Sequence, residues 1–177
     1  MAKRPLRAAL SVLAGILITI GGCTEHPSTA GVDTEQQLRQ VRLSTPSGGP
    51  VANLGTLSEQ YGQVIGPEGG TVNIKGGHKL VFPEGALSEP TLITARPGRV
   101  FVEVEFGPHG LQFPEGREPV LTLNYKGAVN VRDEGSLLIA YMQGRAVSEV
   151  LTTEVDTSAK TVSGQVRHFS RYALVGH

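Results

Sequence analysis

The sequence predicts an all-β protein: an antiparallel β-sandwich that follows an apolar N-terminal segment and a polar tether. From Val64 onward, short runs of β-branched and aromatic residues alternate with Gly/Pro turns. The 177 residues include 23 Gly and 11 Pro, which is rich in turn-formers but below the content of a disordered low-complexity chain. No window has the periodicity of an amphipathic helix of three turns. We therefore expect one β domain with a tail.

Residues 1–22 are predicted to be a signal peptide. Lys3, Arg4 and Arg7 form a positive n-region, and the run from Ala8 to Ile20 is apolar and nearly uncharged. This run has the length of a signal h-region, whereas a membrane-spanning helix needs about 20 residues. The segment therefore indicates export and makes the cytoplasm an unfavourable assignment.

The end of this segment, Ile20-Gly21-Gly22-Cys23, resembles the lipobox of bacterial lipoproteins. The resemblance implies diacylglyceryl transfer to the Cys23 thiol, cleavage before Cys23 and acylation of the new N-terminus, which together give stable membrane anchoring. The alternative is a plain secretory signal with an incidental cysteine, or an uncleaved anchor. Cys23 is the only cysteine of the chain and stands where a lipobox requires one. A single cysteine also excludes an intramolecular disulfide.

Residues 23–63 are predicted to be a lipid-anchored, flexible tether. They are polar and contain Pro27, Pro46 and Pro50 beside a Ser-Gly-Gly cluster. The alternative is that part of this segment, from Val41 to Leu57, adds an edge strand to the domain. Without its signal the chain carries 13 basic and 16 acidic side chains, because the signal holds three basic residues and no acidic one. This balance gives no indication of nucleic acid binding.

Residues 64–177 are predicted to form the β-sandwich domain. Val100, Val102, Val104 and Phe106 share one face of a strand, with Glu103 and Glu105 on the other. Leu121, Leu123 and Tyr125 repeat this period of two. The run from Leu137 to Met142 is apolar on both faces, which is typical of a central strand. Val150 to Val155 and Val162 to Val166 flank a predicted hairpin turn at residues 156–160.

The tripeptide Pro-Glu-Gly begins at Pro67, Pro83 and Pro114, and Phe82 and Phe113 precede the latter two copies. Proline favours the second position of a type I turn and glycine suits the fourth. We interpret these copies as turns at strand ends with an aromatic plug beneath them.

Four motifs in order resemble the ZU-five domain, a β-sandwich of ankyrins and netrin receptors. They are Ile65-Gly-Pro-Glu-Gly-Gly-Thr-Val72, Leu80-Val-Phe-Pro-Glu-Gly-Ala-Leu87, Phe106-Gly-Pro-His-Gly-Leu-Gln-Phe113 and Pro119-Val-Leu-Thr-Leu123. Each motif alone is turn chemistry, and the resemblance rests on their order and spacing. It implies a protein-interaction or structural module with no enzyme pocket.

His168-Phe169-Ser170 resembles the site at which some ZU-five-containing signalling proteins cut their own backbone. The resemblance implies Ser170 as nucleophile, His168 as base and Phe169–Ser170 as the broken bond. This chemistry needs a base within hydrogen-bond reach of the hydroxyl, donors for the oxyanion and a twisted peptide. Neither face of Val166 to Leu174 alternates cleanly, which indicates a distortion near Phe169. The alternative is a last strand that closes the sandwich, with Phe169 in the core.

No other chemistry stands out. The histidines His26, His78, His109, His168 and His177 show no pair at metal-ligand spacing, and His78 and His109 are expected to be solvated in turns beside glycine. Glu103 and Glu105 share one strand face, which favours a solvated surface over a catalytic carboxylate pair. We expect no cofactor and no metal.

The expected function is therefore that of a lipoprotein of the bacterial cell envelope with a non-enzymatic interaction or structural module. Its partners would be the membrane, through the lipid on Cys23, and an envelope protein or glycan. One alternative is a self-processing domain that cuts Phe169–Ser170, and a weaker one is a solute- or carbohydrate-binding lipoprotein. The absence of Trp argues against sugar stacking. The oligomeric state and the side of the membrane stay open.

Overall fold

The computed structural model describes residues 38–44 and 60–177, which belong to one compact unit and form twelve β-strands and one short 3-10 helix. Strands β1 to β6 are Arg39–Gln40, Tyr61–Ile65, Gly70–Ile74, His78–Phe82, Thr91–Pro97 and Glu103–Gly107. Strands β7 to β12 are Val120–Asn124, Leu138–Gln143, Ala146–Val150, Thr153–Asp156, Thr161–Gln165 and Arg171–Gly176. The 3-10 helix, Glu134–Ser136, precedes β8. None of the described residues forms a helix long and apolar enough to cross a membrane.

The strands form two antiparallel sheets with one shared core, so the predicted all-β sandwich is confirmed. The first sheet has the order β2-β5-β6-β12-β8-β9, and β1 also pairs with β12. The second has the order β10-β11-β7-β4-β3. Buried side chains from both sheets share the main cluster, in which Leu80 and Leu121 of the second sheet join Phe106 and Leu174 of the first. A smaller cluster belongs to the first sheet alone and consists of Ala140, Met142, Ala173 and Val175.

The predicted alternation is present from Val102 onward, whereas Val100 lies outside β6 and is only partly buried. Val102, Val104 and Phe106 are buried in the core, while Glu103 and Glu105 lie partly exposed on the opposite face. In a sheet with one face on the core and the other in solvent, side chains that alternate with a period of two are buried on one face and exposed on the other. Leu121, Leu123 and Tyr125 are likewise buried, as predicted.

Strand β8 is interior, as its apolar run from Leu137 to Met142 predicts, because β12 and β9 flank it on both sides. The predicted turn at residues 156–160 is also confirmed, since it joins β10 to β11 and Asp156 Oδ1 accepts hydrogen bonds from the N–H groups of Ser158 and Ala159. The run from Val150 to Val155, in contrast, is not one strand. It is divided between β9 in the first sheet and β10 in the second, because the chain crosses between the sheets at residues 151–152.

Residues 38–44 belong to the sandwich and not to the predicted tether. Val41 is buried in the core, its N–H donates to the carbonyl of Leu174, and its own carbonyl accepts from Val102. The segment fills the edge of β12 that extends past Glu103, the first residue of β6. Its strand of two residues therefore depends on that edge and has no pattern of its own. Strand β2 also begins at Tyr61, before the predicted domain boundary at Val64. The signal, Cys23 and the rest of the tether lie outside the described residues.

The three Pro-Glu-Gly turns lie together. The N–H of Gly85 in the second turn donates to the carbonyl of Pro67 in the first across 2.7 Å, and Arg117 Nη1, just after the third, donates to the carbonyl of Glu84 in the second across 3.1 Å. Only the first turn, Gly66 to Gly69, has proline second and glycine fourth.

In the second and third turns proline stands first and glycine third, which corrects the prediction. The N–H of Ala86 donates to the carbonyl of Pro83, and that of Arg117 to the carbonyl of Pro114. Gly85 and Gly116 have φ of +77° and +75°, the left-handed conformation that a type II turn requires of its third residue.

Candidate functional site

The His168-Phe169-Ser170 segment lies where the chain leaves the second sheet and enters the first. Strand β11 ends at Gln165 and β12 begins at Arg171, and between them only an isolated bridge joins His168 to Gln112. The distortion that the sequence predicts near Phe169 is therefore present. Because β12 lies between β6 and β8, the last strand is central in its sheet.

Phe169 anchors this crossing in the core, as the structural alternative expects. Its ring is 2% exposed and packs edge to face on Phe82 and Phe113, with ring centres 6.1 and 5.1 Å away, and stacks on Phe106 at 5.2 Å. Phe82 and Phe113 are the residues that precede the second and third Pro-Glu-Gly turns. The predicted aromatic plug thus lies beneath these turns and includes Phe169.

The main chain of Phe169 is held on both sides by the loop at residues 110–113. The N–H of Phe169 donates to the carbonyl of Leu111 across 2.8 Å, and the N–H of Gly110 donates to the carbonyl oxygen of Phe169 across 3.3 Å. This oxygen is the one that would carry the negative charge if Ser170 attacked the carbonyl. A backbone N–H at that position is the type of donor that stabilises an oxyanion, although such donors act best at 2.7–3.1 Å.

The side chains of His168 and Ser170 do not form a nucleophile–base pair in this structure. The imidazole packs edge to face on Tyr141, with ring centres 4.8 Å apart, and the carbonyl of His168 accepts a 2.6 Å hydrogen bond from the Tyr172 hydroxyl. Within the described part of the chain, no hydrogen bond joins the His168 ring to the Ser170 hydroxyl. For His168 to act as the base, its ring would have to leave Tyr141 and turn towards Ser170.

His168 also borders a small surface cleft of about 200 Å³, lined among others by Glu118, Glu149, Arg167 and Tyr172. Burial, followed by the nearby Glu149 carboxylate, raises the pKa of the Tyr172 phenol, which therefore stays protonated and can donate to His168. The cleft mixes acidic and basic side chains, and no group of three metal-ligating residues occurs among the described ones.

A larger cleft of about 400 Å³ lies beside β1 and the 3-10 helix. Exposed Arg39, Arg132 and Asp133 line it together with buried Val41 and Leu137. The Asp133 carboxylate already accepts a hydrogen bond from the N–H of Gly135 and caps the 3-10 helix. The charged side chains of this cleft are exposed, which differs from the enclosed site with convergent polar groups that a solute carrier needs.

Next to this cleft, an ion pair joins the 3-10 helix to the β10–β11 turn. Lys160 Nζ lies 2.7 Å from both carboxylate oxygens of Glu134, and the Tyr125 hydroxyl donates to Glu134 Oε2 at 3.2 Å. The hydrogen bond from Lys160 is the main reason that the pKa of Glu134 is lowered. Lys160 has a φ of +58°, unusual for a residue other than glycine. This contact holds two loops together, and we assign it a structural role.

Glu103 and Glu105 each have a separate partner. Glu103 Oε2 accepts from Gln40 Nε2 at 3.3 Å, and Glu105 Oε1 lies 3.4 Å from His109 Nε2. Burial raises the pKa of Glu103, while the nearby Arg171 opposes that rise. These contacts agree with the surface interpretation and do not converge on a reaction centre.

His78 is buried, which corrects the expectation of a solvated loop histidine. The side chain is 5% exposed, and its Nδ1 accepts a 3.0 Å hydrogen bond from the N–H of Asn124. Gly76 and Gly77 have positive φ and form the tight turn that returns the chain so that β4 starts at His78. His109 is exposed as expected, and His26 lies outside the described residues.

The edge strand β2 carries a feature that the predicted sites did not include. Val64 on β2 and Leu92 on β5 lie directly opposite each other and are 61% and 57% exposed. Their neighbours Ile65 and Ile93 are buried. Adjacent apolar residues in a strand point to opposite faces, so the pairs Val64-Ile65 and Leu92-Ile93 already indicate an apolar residue on each face.

No family model and no curated protein matches this sequence.

Proposed function

We propose that this protein is a lipid-anchored protein of the bacterial cell envelope whose β-sandwich works as a non-enzymatic interaction module. The observation that carries the module is the edge of the first sheet at β2, which among the described strands pairs only with β5, together with the exposed Val64–Leu92 pair beside it. The observation that carries the anchor is the lipobox-like sequence that ends at Cys23. The partner class is an extended polypeptide segment, because a strand edge offers backbone groups that pair with another strand.

The edge strand β2 lacks the charged side chains that the edge strands β9 and β10 carry. Proteins protect strand edges with charged side chains, proline or bulges. Strand β9 carries Glu149 and a register shift against β8, and β10 carries Glu154 and Asp156. In contrast, residues 61–65 contain neither a charged residue nor a proline.

The remaining edge, β3, buries its large apolar side chains. Val72 and Ile74 are in the core, whereas Asn73 between them is exposed. On β2, in contrast, Val64 is exposed, and it is the most exposed large apolar side chain on any described strand. An apolar residue on an unprotected edge is typical of a binding surface.

The ZU-five assignment belongs to this proposal. It is supported by the order of the four motifs and by the antiparallel sandwich in which the three Pro-Glu-Gly turns meet over the Phe82–Phe113–Phe169 cluster. A module of this family would act through its surface, in agreement with the edge at β2.

A disruption experiment tests the proposal. Envelopes from cells that make the full chain are solubilised in mild detergent and run on a native gel. We expect the wild type to migrate as a complex that Val64→Asp dissociates, because a carboxylate on the edge opposes strand addition. Val129→Asp is the matched control, since Val129 is 63% exposed but lies outside every strand. Migration of all three as the free chain would overturn the module.

Self-processing at Phe169–Ser170 is the second candidate. It is favoured by the interrupted strand at Phe169 and by the N–H of Gly110 on its carbonyl oxygen. The Ser170 hydroxyl would attack the Phe169 carbonyl carbon and lose its proton to a base, and the Ser170 nitrogen would take up a proton as the C–N bond breaks. Water would then cleave the ester to give a Phe169 carboxylate and restore the Ser170 hydroxyl.

The intact mass of the purified chain under denaturing conditions tests this second candidate. Loss of residues 170–177 from the wild type but not from Ser170→Ala would establish self-processing. Because the His168 ring packs on Tyr141 and makes no described hydrogen bond to Ser170, we expect the full mass in both.

A further inference from the structure

We propose that one end of the sandwich lies on the anionic phospholipid headgroups of the membrane that holds the lipid anchor. This inference rests on the anchor of the proposed function and adds a second contact, made by the folded domain itself. The contact surface consists of Arg42 and the loop at residues 126–132, whose middle residue is Val129. We call this surface the basic end.

The loop of the basic end is held by the segment at residues 38–44. The N–H of Ser44 donates to the carbonyl of Gly127 across 3.0 Å, and the N–H of Val129 donates to the carbonyl of Arg42 across 3.0 Å. The N–H of Arg42 in turn donates to Asn130 Oδ1 across 2.6 Å. These hydrogen bonds place Arg42 beside the loop, and they leave the Val129 side chain 63% exposed.

The basic end carries three exposed cations: Arg42, Lys126 and Arg132. None of their side chains forms a hydrogen bond or an ion pair with another described residue. Two carboxylates follow the loop, but Glu134 is bound by Lys160, and Asp133 accepts from the N–H of Gly135. The basic end thus has unpaired positive charge, although the chain without its signal has more acidic than basic side chains.

Cations around an exposed apolar side chain fit the surface of an anionic membrane. Lys and Arg near such a surface are attracted by its negative potential, and their long apolar stems let the charges reach the phosphates. An apolar side chain between them can then enter the headgroup region. A single exposed valine is ordinary on a protein surface. Val129 differs because Lys126 and Arg132 flank it in the loop and Arg42 lies beside it.

The basic end is also close to the anchor along the chain. Leu38, the first described residue, follows Cys23 by 15 residues, which can span at most about 54 Å. Strand β1 begins at the next residue, Arg39, and leads directly into Arg42. The lipid on Cys23 therefore keeps the basic end within reach of the membrane.

The opposite end of the sandwich is acidic. Phe169 packs beneath the Pro-Glu-Gly turns and lies two residues before β12, whereas Gly176 ends β12 opposite Arg39 of β1. The turns and the point where the chain enters the sandwich thus lie at opposite ends of β12. The turns present three exposed carboxylates: Glu68, Glu84 and Glu115. An anionic surface would attract the basic end and repel the turns.

A small contact is sufficient, because the anchor already confines the domain to the membrane. Each cation near an anionic surface favours the contact about fivefold, since its attraction is about 1.4-fold less than a tenfold step requires in free energy. Salt screens this attraction within a Debye length. The contact should therefore depend on anionic lipid and on the three cations.

The test measures how close two labelled positions come to the membrane. The full lipid-modified chain carries a fluorophore on Val129→Cys or, as the matched control, on Glu84→Cys in the exposed second turn. The lipid blocks the Cys23 thiol, so only the new cysteine is labelled. The chain is reconstituted in vesicles of phosphatidylcholine and phosphatidylglycerol with a spin-labelled headgroup as quencher. We expect quenching at position 129 to exceed that at position 84 at least about fivefold.

The charge dependence is tested in two ways. In vesicles of phosphatidylcholine alone, quenching at position 129 should fall to the level of position 84. The triple variant Arg42→Gln, Lys126→Gln and Arg132→Gln should give the same fall in the mixed vesicles, and these exposed side chains have no described partner whose loss would unfold the domain. Equal quenching at both positions in the mixed vesicles, or no fall in either comparison, would overturn the contact.

Failure of this inference differs from failure of the proposed function. If the chain stays on the vesicles but positions 129 and 84 are quenched equally, the anchor stands and the contact at the basic end is wrong. If the chain carries no lipid and leaves the vesicles, the anchor and this contact are both overturned. Contact with lipid leaves Val129 suitable as a control for protein partners, because it adds no second polypeptide.

Discussion

The Tyr172 hydroxyl donates a 2.6 Å hydrogen bond to the carbonyl oxygen of His168. Tyr172 is buried, so removal of its hydroxyl leaves the carbonyl of His168 without this hydrogen-bond donor. We expect Tyr172→Phe to lower the free energy of unfolding of the lipid-free chain by about 1–2 kcal/mol in urea. Tyr141→Phe is the control, because the Tyr141 hydroxyl only accepts an exposed hydrogen bond from Gln143. An equal loss in both variants would contradict this role of Tyr172.

Two glycines of the Pro-Glu-Gly turns should respond differently to substitution by alanine. Both Gly69 and Gly116 have a positive φ, which costs about 1–2 kcal/mol for a residue with a Cβ. A Cβ on Gly69 would also lie 2.4 Å from the carbonyl oxygen of Phe82, whereas a Cβ on Gly116 would meet nothing within 4 Å. We therefore expect Gly116→Ala to cost about 1 kcal/mol and Gly69→Ala roughly 3 kcal/mol or more. Similar unfolding midpoints would refute the close approach at Gly69.

Stability should fall in acid because of His78. Burial lowers the pKa of His78 from 6.5 to about 4. Between these values the unfolded chain binds a proton that the folded chain does not, so stability is complete above pH 6.5 and declines as the pH falls to about 4. The loss reaches about 3 kcal/mol and then levels off.

The control is His78→Asn, whose side-chain oxygen can still accept from the N–H of Asn124. The difference between the two unfolding curves isolates His78 from the carboxylates that titrate in both proteins. Parallel curves from pH 7 to pH 4 would mean that His78 is protonated equally in the folded and unfolded chains.

Cys23 is expected to carry the lipid anchor. Cells fed an alkyne-labelled fatty acid should label the wild-type chain, while Cys23→Ala should stay unlabelled and leave the membrane fraction, because the thiol is the acceptor of the diacylglyceryl group that the lipobox resemblance implies. Cys23→Ser is a closer match in size and should behave like the alanine variant. An unlabelled wild type would exclude the lipoprotein assignment.

Two kinds of strand were predictable from the sequence: those in which apolar and polar side chains alternate, and those with apolar side chains on both faces. Val102, Val104 and Phe106 lie on the core face of β6, and β8 is central, because these patterns depend only on which strand faces are covered. The distortion near Phe169 was predictable as well, since no regular strand could satisfy both faces there.

The features that escaped prediction depend on contacts distant in the sequence. Strand β1 exists because β12 extends beyond β6, and His78 is buried because the N–H of Asn124 satisfies its Nδ1. The spacing of His168 and Ser170 in the sequence could not indicate that the His168 imidazole packs on the ring of Tyr141. Likewise, only the strand order decides that β2 is an edge strand among the described residues.

The most direct measurement is photo-crosslinking from position 64 in intact cells. A photoreactive phenylalanine analogue replaces Val64 in the full chain, and in a second strain it replaces the equally exposed Val129. If β2 is the interaction edge, position 64 gives a discrete adduct and position 129 gives none. If both positions give no adduct, or the same adducts in similar yield, β2 is an ordinary surface strand and the interaction module is wrong.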